Sequence, residues 1–327
     1  MKEKKLFLYN IRTRLIVAFV VVSFLSMLVA TIYSISAFDQ YIGKGFSEKL
    51  EDNLDTALLI YQLKEETLRN LVSLVSRDKV VGVTLEIGPR EQLANYIFGI
   101  LKENNLNLLT IINQSGIVVA RGGDFSAFGE DVSDDPLIKR ALESTAGTIV
   151  VGTERIFLEE ATEEKLLQKV EVRLSDGNVF QSGLILKAAT PIFFEEKIIG
   201  VAVVGYLLNN SEIVGEIKKE IGVDVHILQS DIVVSTSLKN DLSILGDKID
   251  LEKEVSQEYS TKRIAKKGRE YLIAYHFLEN VEKEKVGALV VSADIQELVA
   301  IKSKIRNNLL LISIASIILS ILLAVYI

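Results

Sequence analysis

The side chains that catalysis most often needs are scarce in this chain of 327 residues. It contains no cysteine, which excludes thiolate nucleophiles and cysteine-based metal sites. Its two histidines, His226 and His276, are too few for chemistry that needs several imidazoles. The sequence contains neither the G-x-S-x-G motif of serine hydrolases nor a glycine-rich phosphate-binding loop. We therefore expect no catalytic residue, no metal site and no cofactor.

Two basic residues stand in unusually apolar surroundings. Lys187 lies within LILKAAT, where the other residues are apolar or small, and Arg121 ends the run LLTIINQSGIVVAR. A lysine in such a strand either reaches solvent at an edge or faces a polar cavity, because lysine is rarely buried without a partner. Arg121 supplies either a surface charge or a fork of donors that fits a carboxylate. The residues alone leave both pairs of alternatives open.

Acidic residues cluster in the glycine-containing loop that follows Arg121, namely Asp124, Glu130, Asp131, Asp134 and Asp135. Their spacing does not fit an EF-hand, so we favour a solvated loop over a calcium site. Asp134 or Asp135 can cap the helix that starts at Pro136 and runs through Glu143. His226 alternates with valine and isoleucine in a strand and has no metal-ligand types beside it, which indicates a structural role.

Arg121 ends a stretch, residues 108–121, whose sequence pattern occurs twice in the chain. Two apolar runs flank the polar break Asn113–Gly116, which predicts a β-hairpin. Residues 223–235 (VDVHILQSDIVVS) repeat it, with Gln229 and Ser230 matching Gln114 and Ser115 at an offset of 115. The sequence therefore predicts two hairpins of the same kind.

A second hairpin pattern follows the first in each copy. Residues 189–206 and 274–292 both contain an apolar strand, an acidic turn and a glycine-marked apolar strand. The offset is 87 at Gly200 and Gly287, so the second copy is shorter between its hairpins. Two hairpins in the same order, twice over, predict two copies of one β-rich module.

Uncharged runs bracket this repeat. Residues 15–38 can cross a bilayer, and the basic residues before them put the N-terminus in the cytoplasm. Residues 309–327 form a second uncharged run, although Lys302, Lys304 and Arg306 precede it on the side predicted to be outside. The net charge of -7 argues against a nucleic-acid partner. We predict a two-pass protein of the cell membrane with residues 39–308 extracytoplasmic.

Helical patterns lie between the first span and the first hairpin. Residues 39–78 show apolar spacing of three to four, which is typical of a core-facing helix and also of a homodimer seam. Residues 90–104 form a further predicted helix, and residues 210–221 a helical linker capped by Ser211. Residues 148–153, 170–174 and 179–193 have strand character, and the charged residues 157–169 are interpreted as an excursion.

The order of these features resembles a known family. The run IINQSGIVVAR, then FGED at 128–131, Asp135-Pro136, and LKAATPIFFEEKIIGVAVVGYLL are similar to the double Cache sensor domains of bacterial transmembrane receptors. The first module also resembles the PAS-like domain of citrate- and C4-dicarboxylate-sensing histidine kinases. The resemblance covers most of residues 39–308.

The resemblance implies an α+β fold with two tandem PAS-like (Cache) modules. Each has a mainly antiparallel sheet, a long N-terminal helix runs along both, and two transmembrane helices bracket them. The expected divisions are a cytoplasmic tail (1–14), a first span (15–38), long helices (39–104), a membrane-distal module (105–209), a membrane-proximal module (210–293), a signalling helix (294–308) and a second span (309–327). The ligand pocket is expected in the distal module.

The resemblance also carries candidate ligand-binding residues. Dicarboxylate sensors place basic side chains at the positions that hold Arg121 and Lys187, and Ser133 and Thr148 are expected to add hydrogen bonds. Other basic and hydroxyl positions of that pattern hold Val118, Ala189 and Val203, which favours a ligand smaller or less charged than citrate or malate. The absence of Trp counts against the amino-acid-binding subclass.

The expected function is small-molecule sensing and transmembrane signalling by the sensor portion of a two-component histidine kinase. The alternatives are a methyl-accepting chemotaxis receptor, a diguanylate cyclase, or a non-enzymatic, membrane-anchored interaction ectodomain. Output domains normally follow the second span in such receptors, and the residues present show none. The expected partners are a small ligand, such as a small carboxylate, the membrane, and a second copy of the chain.

Overall fold

The computed structural model describes residues 11–38, 40, 44–145, 147–157, 170–174, 176–195, 197–239, 244–251, 261–266 and 268–326. Most of the predicted tail (1–10), most of the predicted excursion (158–169) and Ile327 lie outside these residues. The described helices are α1 (Ile11–Phe38), α2 (Lys44–Arg77), α3 (Lys79–Ile87), α4 (Arg90–Glu103), α5 (Pro136–Leu142), α6 (Ser211–Ile221) and α7 (Gln296–Tyr326).

The strands fall into two groups, one on either side of α6. The first group is β1 (Leu108–Asn113), β2 (Val118–Arg121), β3 (Val150–Ile156), β4 (Glu171–Arg173), β5 (Val179–Gln181), β6 (Gly183–Phe194) and β7 (Lys197–Leu207). The second is β8 (Asp224–Gln229), β9 (Ile232–Thr236), β10 (Thr261–Lys266), β11 (Arg269–Glu279) and β12 (Lys285–Asp294). The predicted strand 179–193 is therefore divided between β5 and β6.

The chain divides into two compact units. One contains Leu50–Lys267 and Ile273–Ala293, and therefore most of both strand groups. The other contains Met1–Lys49, Gly268–Leu272 and Asp294–Ile327, in which α1 and α7 contact each other.

One helix among the described residues is long and apolar enough to cross a membrane. It is Val17–Ala37 within α1, with 21 residues, a mean hydropathy of 2.2 and no buried residue. The second predicted span is not singled out by the same criteria. Its described residues form the C-terminal part of α7, which continues without interruption from the predicted signalling helix. A two-pass arrangement therefore stays a prediction.

Strands β4 and β5 form a separate two-stranded sheet, and the two five-stranded sheets have the same strand order. The first runs β2-β1-β7-β6-β3 and the second runs β9-β8-β12-β11-β10. Every pairing of the first sheet is antiparallel, and so are the pairings of β8 with β9 and β12. The predicted repeat of two hairpins is confirmed as two sheets of one topology, with α6 between them.

The register corrects the sequence alignment of the two copies by one residue. Asn113 pairs with Gly200 in the first sheet, whereas Gln229 pairs with Gly287 in the second. Asn113, and not Gln114, is therefore the counterpart of Gln229. Each first hairpin has an irregularity, between Ile111 and Ile112 and between Ile227 and Leu228. The turn of the β8–β9 hairpin is one residue shorter than the turn of the β1–β2 hairpin. The offset between the two copies is therefore 116 residues before the turn and 115 after it, and the sequence alignment detects only the second value.

Helix ends follow local chemistry, with one correction. The Asp135 side chain caps α5 by accepting hydrogen bonds from Leu137 N and Ile138 N, at 2.8 and 3.3 Å, as the sequence predicts. The predicted cap of α6, Ser211, is wrong. The cap is Asn210, whose side-chain oxygen accepts from Glu212 N at 3.1 Å. Asparagine and serine serve equally well as caps, so sequence type could not separate two adjacent candidates.

A hydrophobic core lies against one face of the first sheet. Its members alternate along the strands, because successive strand residues point to opposite faces. The core combines inward residues of the strands with residues of α5, and includes Leu108, Ile112, Val118, Leu137, Ile138, Ile185, Val203 and Val281. Val281 is the member that comes from the second strand group. The predicted stripe of α2 is also core-facing, with Leu50, Leu54, Tyr61, Leu68, Val72 and Val75 buried.

Candidate functional site

Polar side chains interrupt this apolar face of the first sheet at one place. Arg121 on β2 lies opposite Thr110 on β1, and Thr110 lies opposite Val203 on β7. Lys187 on β6 is two residues from Ala189, which pairs with Val203, so Lys187 points to the same face. Arg121, Thr110 and Lys187 are 3%, 4% and 5% exposed. The fold thus buries two cations and a hydroxyl beside an apolar core.

Arg121 reaches this face because β2 ends there. Its guanidinium donates to the carboxylate of Glu130, forming a salt bridge between a buried arginine and a partly exposed glutamate. The pair orients the arginine fork while leaving Glu130 at the solvent side. Burying a charge is costly unless it is paired, so this geometry keeps the cation in place.

The acidic loop after β2 folds back over the site. Val118 N donates to Glu130 O, and Gly129 N donates to Val118 O, both at 2.8 Å. The tip of the loop is fixed to α4, where Arg90 donates to Phe125 O at 2.6 Å and lies 3.7 Å from the ring centroid of Phe128. This loop is therefore held in place by contacts with β2 and α4, and it forms one wall of the site.

The face and the loop border a cavity of about 170 Å³ that is partly open to solvent. Its apolar lining comes from the sheet, the loop and α5, and consists of Leu108, Ile112, Val118, Val132, Ile138 and Val203. Its polar lining consists of Thr110, Arg121, Glu130, Asp135 and Lys187. Opposite charges and an apolar wall suit a small molecule with one ionic end.

Two of the four predicted site residues line this cavity, and two do not. Arg121 and Lys187 are brought together from strands β2 and β6. Ser133 lies outside the lining, and its N–H donates to Asp131 Oδ1 at 3.0 Å. Thr148 is exposed and lies 3.2 Å from Thr145 through their hydroxyl oxygens, while its carbonyl accepts from Thr190 Oγ1 at 2.8 Å. These contacts stabilise a turn and the approach to β3.

Sequence reasoning missed Thr110, which sits between the two cations. It alternates with Leu108 and Ile112, so it is a polar residue on the buried face of a strand. Asp135 was foreseen as a helix cap and also borders the cavity. The available signal was a hydroxyl inside a run that is otherwise apolar, directly opposite Arg121 in a hairpin.

An acidic side chain on β3, that of Glu154, lies near the cation Lys187. Glu154 follows Gly152, which pairs with Lys187, and points to the same face as Lys187. Burial raises the pKa of the Glu154 carboxyl, while a hydrogen bond from Val281 N and the charge of Lys187 act in the opposite direction. Glu154 is therefore an acidic residue next to the cavity, although it does not line it.

The other polar candidates have structural partners. His226 is buried, with Nδ1 2.8 Å from Thr236 Oγ1 and Nε2 2.7 Å from Ser292 Oγ, which agrees with its predicted structural role. Asp124 accepts from Ser126 N at 2.9 Å. Within the described parts of the chain, no group of three or more His, Cys, Asp or Glu side chains could hold a metal ion.

The chain matches a known protein family over both strand groups. Residues 44–299 match a family described as a double sensory domain of two-component sensor kinase, named as a double Cache family. No curated protein sequence matches the chain.

Sensor domains are among the solved structures to which the chain is similar. The periplasmic domain of Vibrio cholerae LuxQ is 13% identical, with a TM-score of 0.50, over 75% of this chain and 99% of that one. The V. cholerae histidine kinase DctB sensor domain is 12% identical, with a TM-score of 0.45, over 77% and 97%. The ligand-binding domain of the Campylobacter jejuni chemoreceptor Tlp3 in complex with L-valine is 13% identical, with a TM-score of 0.46, over 84% and 98%.

Proposed function

The chain belongs to the double Cache family of two-component sensor kinase sensory domains, and from that premise we propose that its first module binds a short monocarboxylate. The family is one of sensory rather than catalytic domains. Sensing outside the cytoplasm and signalling across the membrane follow from that membership. The observation that supports the ligand class is the pairing of buried Arg121 and Lys187 with an apolar wall in one cavity.

The chemistry of the lining favours one carboxylate and an apolar tail. Arg121, Thr110 and Lys187 provide charge-assisted and neutral donors on one side of the cavity. Val118, Val203 and Ile138 provide the other side. A carboxylate at Lys187 and Arg121 would exchange its hydration for these donors, while a short hydrocarbon tail would leave water.

The size of the cavity limits the ligand. A volume of about 170 Å³ compares with the roughly 150 Å³ cavity that accommodates benzene, and so corresponds to about six non-hydrogen atoms. A second carboxylate would have to face Val118 or Val203, which offer it no donor. Propionate and butyrate therefore fit better than malate or citrate.

The four residues proposed from the resemblance take different roles in this proposal. Arg121 and Lys187 contact the ligand, together with Thr110. Ser133 and Thr148 support the site indirectly, through the turn at Asp131 and through the carbonyl bonded to Thr190.

The membrane arrangement is part of the proposal. Residues 15–38 and 309–327 are the two spans, residues 1–14 are cytoplasmic, and the two modules, at 105–209 and 210–293, lie outside. The apolar segment Val17–Ala37 fits a membrane anchor, and the contact between α1 and α7 supports a paired arrangement of spans. The residues 294–308 would then carry the signal to the second span.

A homodimer and a histidine kinase output complete the proposal. Helix α2 leaves Leu59, Leu63 and Leu74 at least 56% exposed, on a side away from its core-facing stripe. These leucines are proposed to contact a second copy of the chain. The kinase output is favoured over a chemoreceptor or cyclase output because the matched family is that of two-component sensor kinases.

The ligand proposal is tested with the full chain in detergent micelles. Thermal unfolding is recorded with acetate, propionate, butyrate, malate and citrate at equal ionic strength. We expect propionate and butyrate to raise the melting temperature in a concentration-dependent manner. Lys187→Met and Arg121→Met should abolish the shift, because each removes a charge-assisted donor.

Lys197→Met is the matched control, since Lys197 is an exposed lysine of the same module. It should respond to propionate as the native chain does. A shift with malate and not with propionate would reject the monocarboxylate assignment. Propionate shifts that survive both Lys187→Met and Arg121→Met would place the ligand elsewhere.

A further inference from the structure

A residue of the second strand group completes the hydrophobic core of the first module. Val281 lies in the turn between β11 and β12, is 5% exposed, and belongs to the core cluster beside the cavity. Turns normally lie at the surface, because their backbone groups need partners. The burial of Val281, a turn residue of the second module, therefore indicates a specific contact with the first module.

The turn that carries Val281 is held by its own hydrogen bonds. The side-chain oxygen of Asn280 accepts from Glu282 N at 3.0 Å and from Glu284 N at 2.8 Å. Asn280 N also donates to Glu284 O at 3.0 Å. Asparagine stabilises turns in this way, so Val281 is presented on a rigid support.

The first module receives Val281 with specific groups. Glu154 Oε1 accepts from Val281 N at 3.1 Å, and Arg140 of α5 donates to Val281 O. Gly152 provides the space, because a Cβ there would lie 2.8 Å from Val281 Cγ1 and 2.9 Å from Val281 N. Both backbone groups of Val281 and its side chain are thus bound by the first module.

This docking point lies next to a cation of the cavity. Gly152 pairs directly with Lys187 across β3 and β6, and Glu154 lies one diagonal step away on the same face. Burial raises the pKa of Glu154, and the charges of Asp135 and Glu282 add to this rise, whereas the bond from Val281 N and the charge of Lys187 lower the pKa. The charge of Lys187 thus favours the ionised carboxylate. An ionised carboxylate is a stronger acceptor for Val281 N than a neutral one.

We propose that the Val281 turn is a latch between the modules that an anion in the cavity releases. The proposal rests on the proposed ligand class, since it requires an anion beside Lys187. A bound carboxylate neutralises Lys187, so the ionised form of Glu154 loses a stabilising charge and the carboxyl binds a proton more readily. A neutral carboxyl is a weaker acceptor than a carboxylate, so the bond from Val281 N weakens. The contact between the Val281 turn and the core of the first module is thereby loosened, while the bond from Arg140 to Val281 O remains.

Strand β3 connects the same point to α2. The hydroxyl of Tyr61 on α2 forms a buried hydrogen bond with Thr153, which lies between Gly152 and Glu154. Arg69 of α2 donates to Ile149 O at 3.2 Å, just before β3. As an edge strand, β3 has one neighbour in its sheet, so a change at the latch reaches α2 directly.

Hydrogen exchange of the Val281 amide in the full chain tests the latch. The chain is labelled with ¹⁵N-valine in detergent micelles, and the β12 valine amides serve as internal references for global opening. Lys187→Met should make Val281 exchange about tenfold faster relative to β12, as expected when a charge-assisted bond becomes an ordinary one. Propionate should have a similar effect on the native chain and little further effect on Lys187→Met.

Control variants separate the latch from general destabilisation. Lys197→Met should exchange as the native chain does, and Glu154→Ala should exchange fastest and ignore propionate. If propionate raises the melting temperature but Val281 follows the β12 amides in every variant, the latch is rejected and the ligand proposal stands. If Lys187→Met accelerates Val281 but no monocarboxylate binds, the link between Lys187 and Glu154 stands, and its control by a monocarboxylate is rejected.

Discussion

Thr236 occupies in the second sheet the place that Arg121 occupies in the first. Arg121 lies opposite Thr110, and Thr236 lies opposite His226. The equivalence continues into the next strand, where Thr110 pairs with Val203 and His226 with Val290. The same topology therefore carries a cation at one position and a small hydroxyl at the other.

This substitution changes what each module can do. In the second module His226 bonds to Thr236 and Ser292, so that position is filled by the protein's own partners. In the first module Thr110 and Arg121 border a cavity of about 170 Å³. The duplicated fold thus has one face that borders a cavity and one face where the equivalent position is filled by hydrogen-bonded side chains.

The buried histidine predicts an acid-sensitive stability. Burial lowers the pKa of His226 to about 4, below its ordinary value of 6.5. The unfolded chain therefore binds a proton that the folded chain does not, and stability falls as pH decreases from about 6.5 toward 4. The loss from this residue approaches about 3 kcal/mol below that window.

Chemical unfolding of the full chain in micelles between pH 7 and pH 4 measures this effect. His226→Gln should weaken the pH dependence in that window, even if it also lowers stability at pH 7. The same slope in native and variant chains would show that His226 is not the titrating group.

Thr110 should contribute to ligand affinity without being essential for the fold. Thr110→Val keeps the branched shape and removes the hydroxyl, so we expect propionate to bind about five- to tenfold more weakly. Titration calorimetry measures this change. Thr67→Val is the control, because the exposed Thr67 hydroxyl donates to Leu63 O within α2 and does not line the cavity. Equal affinity in the native chain and Thr110→Val would remove Thr110 from the site.

The close approach of β1 and β7 requires a glycine at position 200. A Cβ at Gly200 would lie 2.1 Å from the carbonyl oxygen of Ile112. Gly200→Ala should therefore destabilise the first module by several kcal/mol, on the order of 3. Gly215→Ala in α6 is the matched substitution, since its Cβ would meet nothing within 4 Å.

Thermal unfolding should show opposite signs for these two alanines. Gly215→Ala is expected to stabilise by about 0.5–1 kcal/mol, because alanine loses less conformational freedom in a helix. A neutral Gly200→Ala would contradict the observed spacing of the strands.

Substitutions at Asn210 and Ser211 test which of these adjacent residues caps α6. Asn210→Ala should cost about 1 kcal/mol, because it removes the acceptor for Glu212 N. Ser211→Ala should change stability by less than about 0.5 kcal/mol, since Ser211 is the first residue inside the helix. Urea unfolding of both variants gives the comparison, and the reverse order would return the cap to Ser211.

Much of the architecture could be predicted locally. The apolar runs on either side of the polar break Asn113–Gly116 predict β1 and β2, and Asp135-Pro136 predicts the start of α5. Such signals act over a few residues, because they depend on backbone dihedrals and on nearby hydrogen bonds. The repeat of the pattern then predicts two modules, which the two sheets confirm.

The candidate site could be predicted only in part. Lys187 and Arg121 stood out as charges in apolar surroundings, and both line the cavity. Ser133 and Thr148 have the right chemistry and lie outside the lining. Thr110 lines the cavity but was not predicted from the sequence, because its role depends on its position opposite Arg121 in the hairpin.

The sequence by itself determined the elements, their order and their duplication, because turn residues and side-chain periodicity act within short stretches. The tertiary structure alone decided that Thr236 stands where Arg121 does, since a turn one residue shorter shifts the equivalence. It also decided that Val281 enters the core of the other module. That contact joins residues 127 positions apart, and it depends on Gly152 leaving a gap that only packing can reveal.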